Sequence, residues 1–161
     1  MDKKILDLIN EQMNFEFESA YIYKAMAAYT DDLDLEGFTT WMDQQVTEEI
    51  NHGEGMKNFL QSVGYKPVYK AIPEPKAEYD SVLDVMKSAL EHEKEVTRRI
   101  RELFDAAHEI KFYEVYTLLQ KFIDEQIEEE ATFDNIIAKL ERTENSNAGL
   151  AILDHEMAQR Q

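Results

Sequence analysis

The stretch Glu48-Glu49-Ile50-Asn51-His52 sets a carboxylate, Glu49, and an imidazole, His52, about one helical turn apart. It lies in the middle of a helical pattern that runs from about Leu35 to Val63. Every three or four residues that pattern presents Phe38, Met42, Gln45, Glu49, His52, Met56, Phe59 and Val63. Apolar residues at this spacing form the seam that a helix turns toward a bundle core. Glu49 and His52 interrupt the seam where it is expected to be driest. An ionised carboxylate buried there costs several kcal/mol unless something compensates it. The rest of the chain must supply what sits opposite.

Three other long helical patterns have the same design. Residues 4–29 contain no Gly or Pro and carry Ile9, Met13, Glu16, Ala20, Tyr23 and Ala27 on one stripe. A second stripe, Ile5, Leu8, Gln12, Phe15, Ser19, Ile22 and Met26, is also largely apolar, so this helix is expected to be buried on two sides, one of them against another subunit. The third helix, residues 81–108, has the seam Leu83, Met86, Leu90, Glu93, Thr97, Ile100, Phe104 and Ala107. The fourth, residues 112–140, has Val115, Leu119, Phe122, Gln126, Glu129, Phe133, Ile136 and Leu140. A short amphipathic helix over residues 148–159 closes the chain. Asp31, Asp32 and Asp34 supply turn and capping chemistry in the short first link, which makes the first two helices antiparallel neighbours. Residues 64–80 hold all three prolines. About 16 extended residues span roughly 50 Å, enough to pass a helix of roughly 42 Å, so this segment is a crossover that sets the second and third helices parallel.

The composition agrees. Five Gly and three Pro in 161 residues leave few turns, which favours long helices in a single domain over residues 1–161. A formal charge of −17 repels nucleic acid and anionic membranes and attracts cations. Without cysteine, thiolate metal sites and disulfides are impossible. The start, Met1-Asp2-Lys3-Lys4-Ile5, opens no apolar run long enough for a signal peptide or membrane span, so a cytoplasmic location is expected.

Midpoints of packed helices of equal length fall in one layer, whichever way each helix runs. That layer holds Glu16, Glu49, His52, Glu93, Gln126 and Glu129, with Tyr23 two turns from Glu16. Carboxylates so close together either take up protons or hold cations. Two divalent ions would match the charge of Glu16, Glu49, Glu93 and Glu129, and one imidazole without thiolate suits hard or borderline metals.

At these residues the chain resembles the bacterial non-haem ferritins, over nearly its whole length. Asn10 to Glu16 is similar to their opening helix, Glu48 to His52 to their second-helix motif, and Glu125-Gln126-Ile127-Glu128-Glu129-Glu130 to their fourth-helix motif. Glutamates facing Glu-x-x-His across a bundle core are known from ferritin-like di-iron proteins. The resemblance implies an all-α, ferritin-like four-helix bundle with a long crossover and a short fifth helix. It implies that Glu16, Glu49 and His52 bind one iron with Glu49 bridging, and that Glu93 and Glu129 complete a second site with Gln126 close by. Tyr23 would hydrogen-bond or donate an electron, and Glu48, Glu125 and Glu128, with Glu129, would form a third iron site. It further implies a hollow cage of 24 copies that oxidises Fe(II) with O2 or hydrogen peroxide and stores ferric mineral. Haem-binding relatives carry Met where this chain has Ile50, and they repeat Glu-x-x-His on the fourth helix, so no haem is expected.

Two other readings compete: a di-metal oxidase or oxygenase acting on an organic substrate, and a structural bundle with protonated core glutamates. His92, His108 and His155 have no partner pattern and read as surface or turn residues, and Trp41 as part of a subunit contact.

Overall fold

The structure, a computed structural model, describes residues 2–160. Met1 and Gln161, the ends of the expected domain, lie outside the described residues. Among the described residues five α-helices follow one another: α1 Lys3–Asp32, α2 Glu36–Ser62, α3 Val82–Glu109, α4 Tyr116–Arg142 and α5 Asn147–Met157. A 3-10 turn, Tyr113–Val115, precedes α4. The first four lie within a few residues of the ranges that the seams predict.

Two apolar clusters fix the topology. One joins the late part of α1 (Ala20 to Ala27), the early parts of α2 (Phe38 to Val46) and α3 (Val82 to Leu90), the late part of α4 (Phe133 to Leu140), and α5. The other joins early α1, late α2, late α3 and early α4. α1 and α2 are therefore antiparallel, α2 and α3 parallel, and α3 and α4 antiparallel. The midpoints of all four helices fall between the clusters.

Helix ends are set locally, with one exception. Asp2 caps α1 through Lys4 N–H at 2.8 Å, and Ser81 caps α3 through Asp84 N–H at 3.1 Å. Gly64 ends α2 with φ +79, while Tyr65 N–H reaches Leu60 C=O at 2.9 Å in a Schellman closure. The same closure ends α1 with Asp34 at φ 56 and α3 with Lys111 at φ 57, where no glycine stands. The aspartates predicted to cap α2 do not do so. Asp31 and Asp32 finish α1, Asp34 takes the left-handed position, and the N-cap is Leu35, which offers no side-chain acceptor. Instead Phe38 N–H donates to the Asp154 carboxylate of α5 at 2.9 Å. Gly37 makes this approach feasible, because a Cβ there would lie 1.7 Å from the Asp154 carbonyl oxygen.

The crossover is tied to α1 by two asparagines one turn apart. Asn10 exchanges hydrogen bonds with Val68 C=O and N–H at 3.0 and 2.8 Å. Asn14 donates to the same carbonyl and accepts from Lys70 N–H, both at 2.8 Å. Polar groups without a strand or helix of their own thus find fixed partners.

Burial corrects two expectations. Most of the second stripe of α1 is covered within the chain rather than by another subunit: Ile5, Gln12, Phe15, Ser19 and Met26 are buried, with Arg99 of α3 stacked 3.7 Å over the Phe15 ring, while Leu8 is exposed. Trp41 is 3% exposed and packs edge-on to Phe133, so it belongs to this subunit's own core.

Candidate metal centre

Between the two apolar clusters lie Glu16 from α1, Glu49 and His52 from α2, Glu93 from α3, and Gln126 and Glu129 from α4. Glu16, Glu49, Glu93 and Gln126 are buried. His52 Nδ1 stands 3.7 Å from Glu16 Oε2 and 3.5 Å from Glu49 Oε2. Those two buried oxygens have no hydrogen-bond partner. One donor atom from each of the three residues fits within 4.8 Å of the others. Buried polar atoms are nearly always satisfied, so two orphaned carboxylate oxygens converging on an imidazole nitrogen define a place where a cation is wanted. Two oxygens and one nitrogen, with no sulfur, suit a hard or borderline divalent ion.

The other carboxylates of the layer are held by neutral donors. Gln12 Nε2 donates to Glu16 Oε1 at 2.7 Å. The Tyr23 hydroxyl donates to Glu93 Oε1, and Gln126 Nε2 donates to Glu93 Oε2 at 3.0 Å and to the Glu93 carbonyl at 3.1 Å. Thr97 sits beside Gln126 at 3.3 Å and donates to Glu130 Oε1 at 2.7 Å. Gln45 Nε2 donates to Glu129 Oε2 at 3.1 Å. Among the described residues, Glu93 and Glu129 do not join the compact trio of Glu16, Glu49 and His52. Their carboxylates are turned to Tyr23 and Gln126 in one case and to Gln45 in the other.

Protonation follows from burial and crowding. Burial, then repulsion from Glu16 and Glu93, hold the Glu49 carboxyl well above its ordinary value. Burial raises Glu93 as well. Burial, then the charges of Glu93 and Glu48, push Glu129 up to about 7. For Glu16 burial acts upward, but its contacts with His52, Glu49 and Gln12 outweigh it and hold this carboxyl below its ordinary range. His52 is also opposed by burial, yet Glu125, Glu16 and Glu49 around it strongly favour the imidazolium. Burial and Glu93 keep the Tyr23 phenol protonated, hence a donor.

A cleft of about 390 Å³ runs from this layer to the surface between α2 and α4, lined by His52, Glu48, Glu125, Glu128, Glu129 and Phe122. Glu125 Oε2 reaches His52 Nε2 at 3.2 Å, while its other oxygen lies 3.6 Å from Lys121 Nζ. Glu48 accepts from Arg160 at 2.8 Å, and Glu128 is exposed. All nine carboxylate, amide and imidazole positions that the sequence predicts thus fall in the layer or its outer cleft, and Tyr23 touches the layer through Glu93.

Gln12, Gln45, Thr97 and Arg160 hold site residues without having been assigned a role from sequence. Gln12 and Gln45 do leave a signal, each being an amide on a largely apolar stripe one turn from a site glutamate. His92 corrects an expectation. It is half-buried against Phe15 and Tyr23, with Nε2 2.6 Å from Ser19 Oγ, and burial favours its neutral form. His108 and His155 are exposed, as expected.

A model of the ferritin-like domain matches residues 6–143. The chain belongs to the ferritin-like family. It is 39% identical to a bacterial non-heme ferritin of Staphylococcus saprophyticus over 160 residues, covering 99% of this chain and 96% of that one. The corresponding protein of Staphylococcus aureus strain MRSA252 is 37% identical over the same spans. Among solved structures, an open-pore ferritin from the archaeon Archaeoglobus fulgidus superposes with a TM-score of 0.98 at 38% identity, covering 100% of this chain and 99% of that chain. Family membership favours an iron-binding layer over a structural acidic bundle, and it does not favour an oxygenase acting on an organic substrate. No helix among the described residues is long and apolar enough to cross a membrane.

Proposed function

We propose that this protein is an iron-storage ferritin that oxidises Fe(II) in its central polar layer and deposits the ferric product inside a homo-oligomeric cage of 24 copies. One observation carries the reading: in a bundle of this family, the buried Oε2 atoms of Glu16 and Glu49 converge on His52 without a hydrogen-bond partner.

Ferrous ion is the substrate. Glu16, Glu49 and His52 take one ion, with Glu49 bridging to a second that Glu93 and Glu129 complete. Glu93 and Glu129 take the second ion with lone pairs that Tyr23, Gln126 and Gln45 leave free, while those donors keep the two carboxylates oriented. The two ions pass electrons to O2 or hydrogen peroxide. Carboxyls held above their ordinary range release protons as metal arrives, because only the deprotonated form is a ligand. Tyr23 stays a phenol beside Glu93, where it orients that carboxylate and lies within reach to donate an electron. Gln126 and Thr97 brace Glu93 from the opposite side. The outer cleft with Glu48, Glu125, Glu128 and Glu129 offers access for Fe(II) and a third, weaker site.

Assembly is supported by the apolar side chains left uncovered on one face of the α1–α2 pair and the crossover: Tyr21, Ile50, Tyr69 and Ile72 are all more than a third exposed around one groove. The acidic surface suits a cytoplasmic protein without nucleic-acid or anionic-membrane partners. Ile50, where haem-binding relatives carry Met, suits a protein without haem.

Gel filtration tests the cage. Chains of 18.9 kDa give a particle of roughly 450 kDa, whereas a dimer would favour the di-metal oxidase reading. Anaerobic Fe(II) titration tests the centre, with about two to three ions expected per chain. Oxidation as fast as wild type in the double variant Glu49→Ala, His52→Ala would refute the assignment.

A further inference from the structure

Arg160 lies beyond the end of α5, yet it is fastened to α2 at four points. Its Nη2 donates to Glu48 Oε1 at 2.8 Å and its Nη1 to the Trp41 carbonyl at 3.4 Å. Its guanidinium carbon sits 4.5 Å above the Trp41 ring. Its own carbonyl accepts from Gln44 Nε2 at 3.4 Å. Only 20% of its side chain is exposed. A surface arginine does not hold such a position by chance, because ordering its long side chain loses rotamer entropy that one exposed ion pair does not repay. The ring, the carbonyl and the carboxylate together define the seat.

The carboxylate it holds belongs to the outer cleft. Glu48, Glu125, Glu128 and Glu129 line that cleft, and three bases pair with them: His52 and Lys121 with Glu125, and Arg160 with Glu48. We propose that the Arg160 guanidinium is a tethered counter-ion of this outer cluster, which a divalent cation must displace from Glu48 in order to bind there. The proposal rests on the outer-site reading given above. A guanidinium does not give up its proton, so the carboxylate is freed only when the whole side chain moves. A divalent ion prevails by gaining Glu128 and Glu129 at the same time. Arg160 thereby makes the outer site weaker than the inner pair and sets it to load last. It also offers a monovalent cation no advantage over the arginine already present.

Trp41 is the single tryptophan of the chain and lies directly under this guanidinium, so its emission reports the displacement. The test is an anaerobic calorimetric titration of the assembled protein with Zn(II), which is redox-inert, while Trp41 fluorescence is followed. Wild type is expected to show two tight ions, then a weaker one accompanied by a step in emission. In Arg160→Ala the weaker ion binds roughly threefold to tenfold more tightly, as expected for release of a charge-assisted hydrogen bond, and the emission step disappears while the tight ions stay within about twofold. Arg160→Lys, which keeps the charge without the stacked fork, falls between the two. An unchanged or weaker third ion in Arg160→Ala, or an emission step that persists, overturns the proposal. Glu48→Gln separates the two levels. If the weaker ion is lost in Glu48→Gln but unmoved in Arg160→Ala, the outer site stands and the role of Arg160 falls. If Glu48→Gln binds that ion as wild type does, the outer-site reading fails and takes the proposal with it.

Discussion

The inner layer and the outer cleft are built from the same side chain, glutamate, yet they balance its charge in opposite ways. In the layer, Glu16, Glu49 and Glu93 are cut off from water, and the groups beside them are mostly neutral: Gln12, Tyr23 and Gln126, with His52 as the one ionisable base. In the cleft, Glu48 and Glu125 are part-exposed, and their partners include permanent cations, Arg160 and Lys121. Burial decides which solution is used. A second cation enclosed in the layer would satisfy the carboxylates permanently and leave them no reason to take metal. Neutral donors orient them without supplying charge, so the balance is kept by protons that an arriving metal can displace. At the rim, where solvent screens each ion pair, a tethered base is weak enough to be displaced.

Substitutions can break this contrast, and the largest effect is expected at Glu49. Glu49→Gln is expected to lower the Fe(II) oxidation rate at least about a hundredfold in stopped-flow assays, since a bridging ligand is lost. The same change is expected to raise the stability of the metal-free protein by about 1–3 kcal/mol in urea unfolding, because a buried carboxyl facing Glu16 and Glu93 disappears. Glu128→Gln, its counterpart in the cleft, is expected to leave the unfolding midpoint where it was. Equal effects at the two positions would abolish the distinction.

The pH dependence comes next. Glu49, Glu93 and Glu129 have raised carboxyls in the folded state, Glu129 up to about 7. Between the unfolded carboxyl range and that value the folded chain binds more protons than the unfolded one, so metal-free stability falls as pH rises. His52, also raised, adds the same sign above about pH 6.5, where the unfolded imidazole loses its proton. From pH 5 to 8 in chelator the expected loss is about 1–3 kcal/mol by urea unfolding. Zn(II) affinity is expected to climb over the same interval, because ligands must shed protons. Glu125 in the cleft is lowered, chiefly by His52, so its contribution has the opposite sign and is lost only in acid. Metal-free stability that rises with pH over this window would contradict the protonated layer.

Smaller effects sharpen the boundary. Gln45→Leu, which removes the donor to Glu129, is expected to weaken the second tight ion about tenfold in calorimetry, in line with other groups that orient ligands. Lys121→Ala is expected to change the weakest ion by no more than about twofold, since its contact with Glu125 is long and exposed.

The layer was legible because charge in an apolar seam is conspicuous, and because helix midpoints align whatever the topology. Glu16, Glu49 and Glu93 needed nothing more than 3.5-residue counting. The crossover was legible from its prolines and its length. What escaped was long-range or conformational. Arg160 and Asp154 reach α2 from the far end of the chain, and neither has a local pattern. Asp34 looked like a cap, but the closure onto Thr30 C=O requires a left-handed residue there, and aspartate tolerates that conformation. His92 has no partner pattern on its own helix, because its partner Ser19 stands on the second stripe of α1. Most of that stripe does not need a second subunit, since a bundle helix can be covered on two sides by its own neighbours, here α2 and α3.

The Phe38–Asp154 contact makes the order of synthesis matter. The acceptor for α2's first turn lies 116 residues further along the chain than its donor. During translation the helix that carries Glu49 and His52 emerges early, with its leading turn unfinished. It is completed only when α5 leaves the ribosome and settles over Gly37. Arg160 follows a few residues later and takes its seat on Glu48. A short segment, Asp154 to Arg160, thus closes both the front of the metal-bearing helix and the mouth of its cleft.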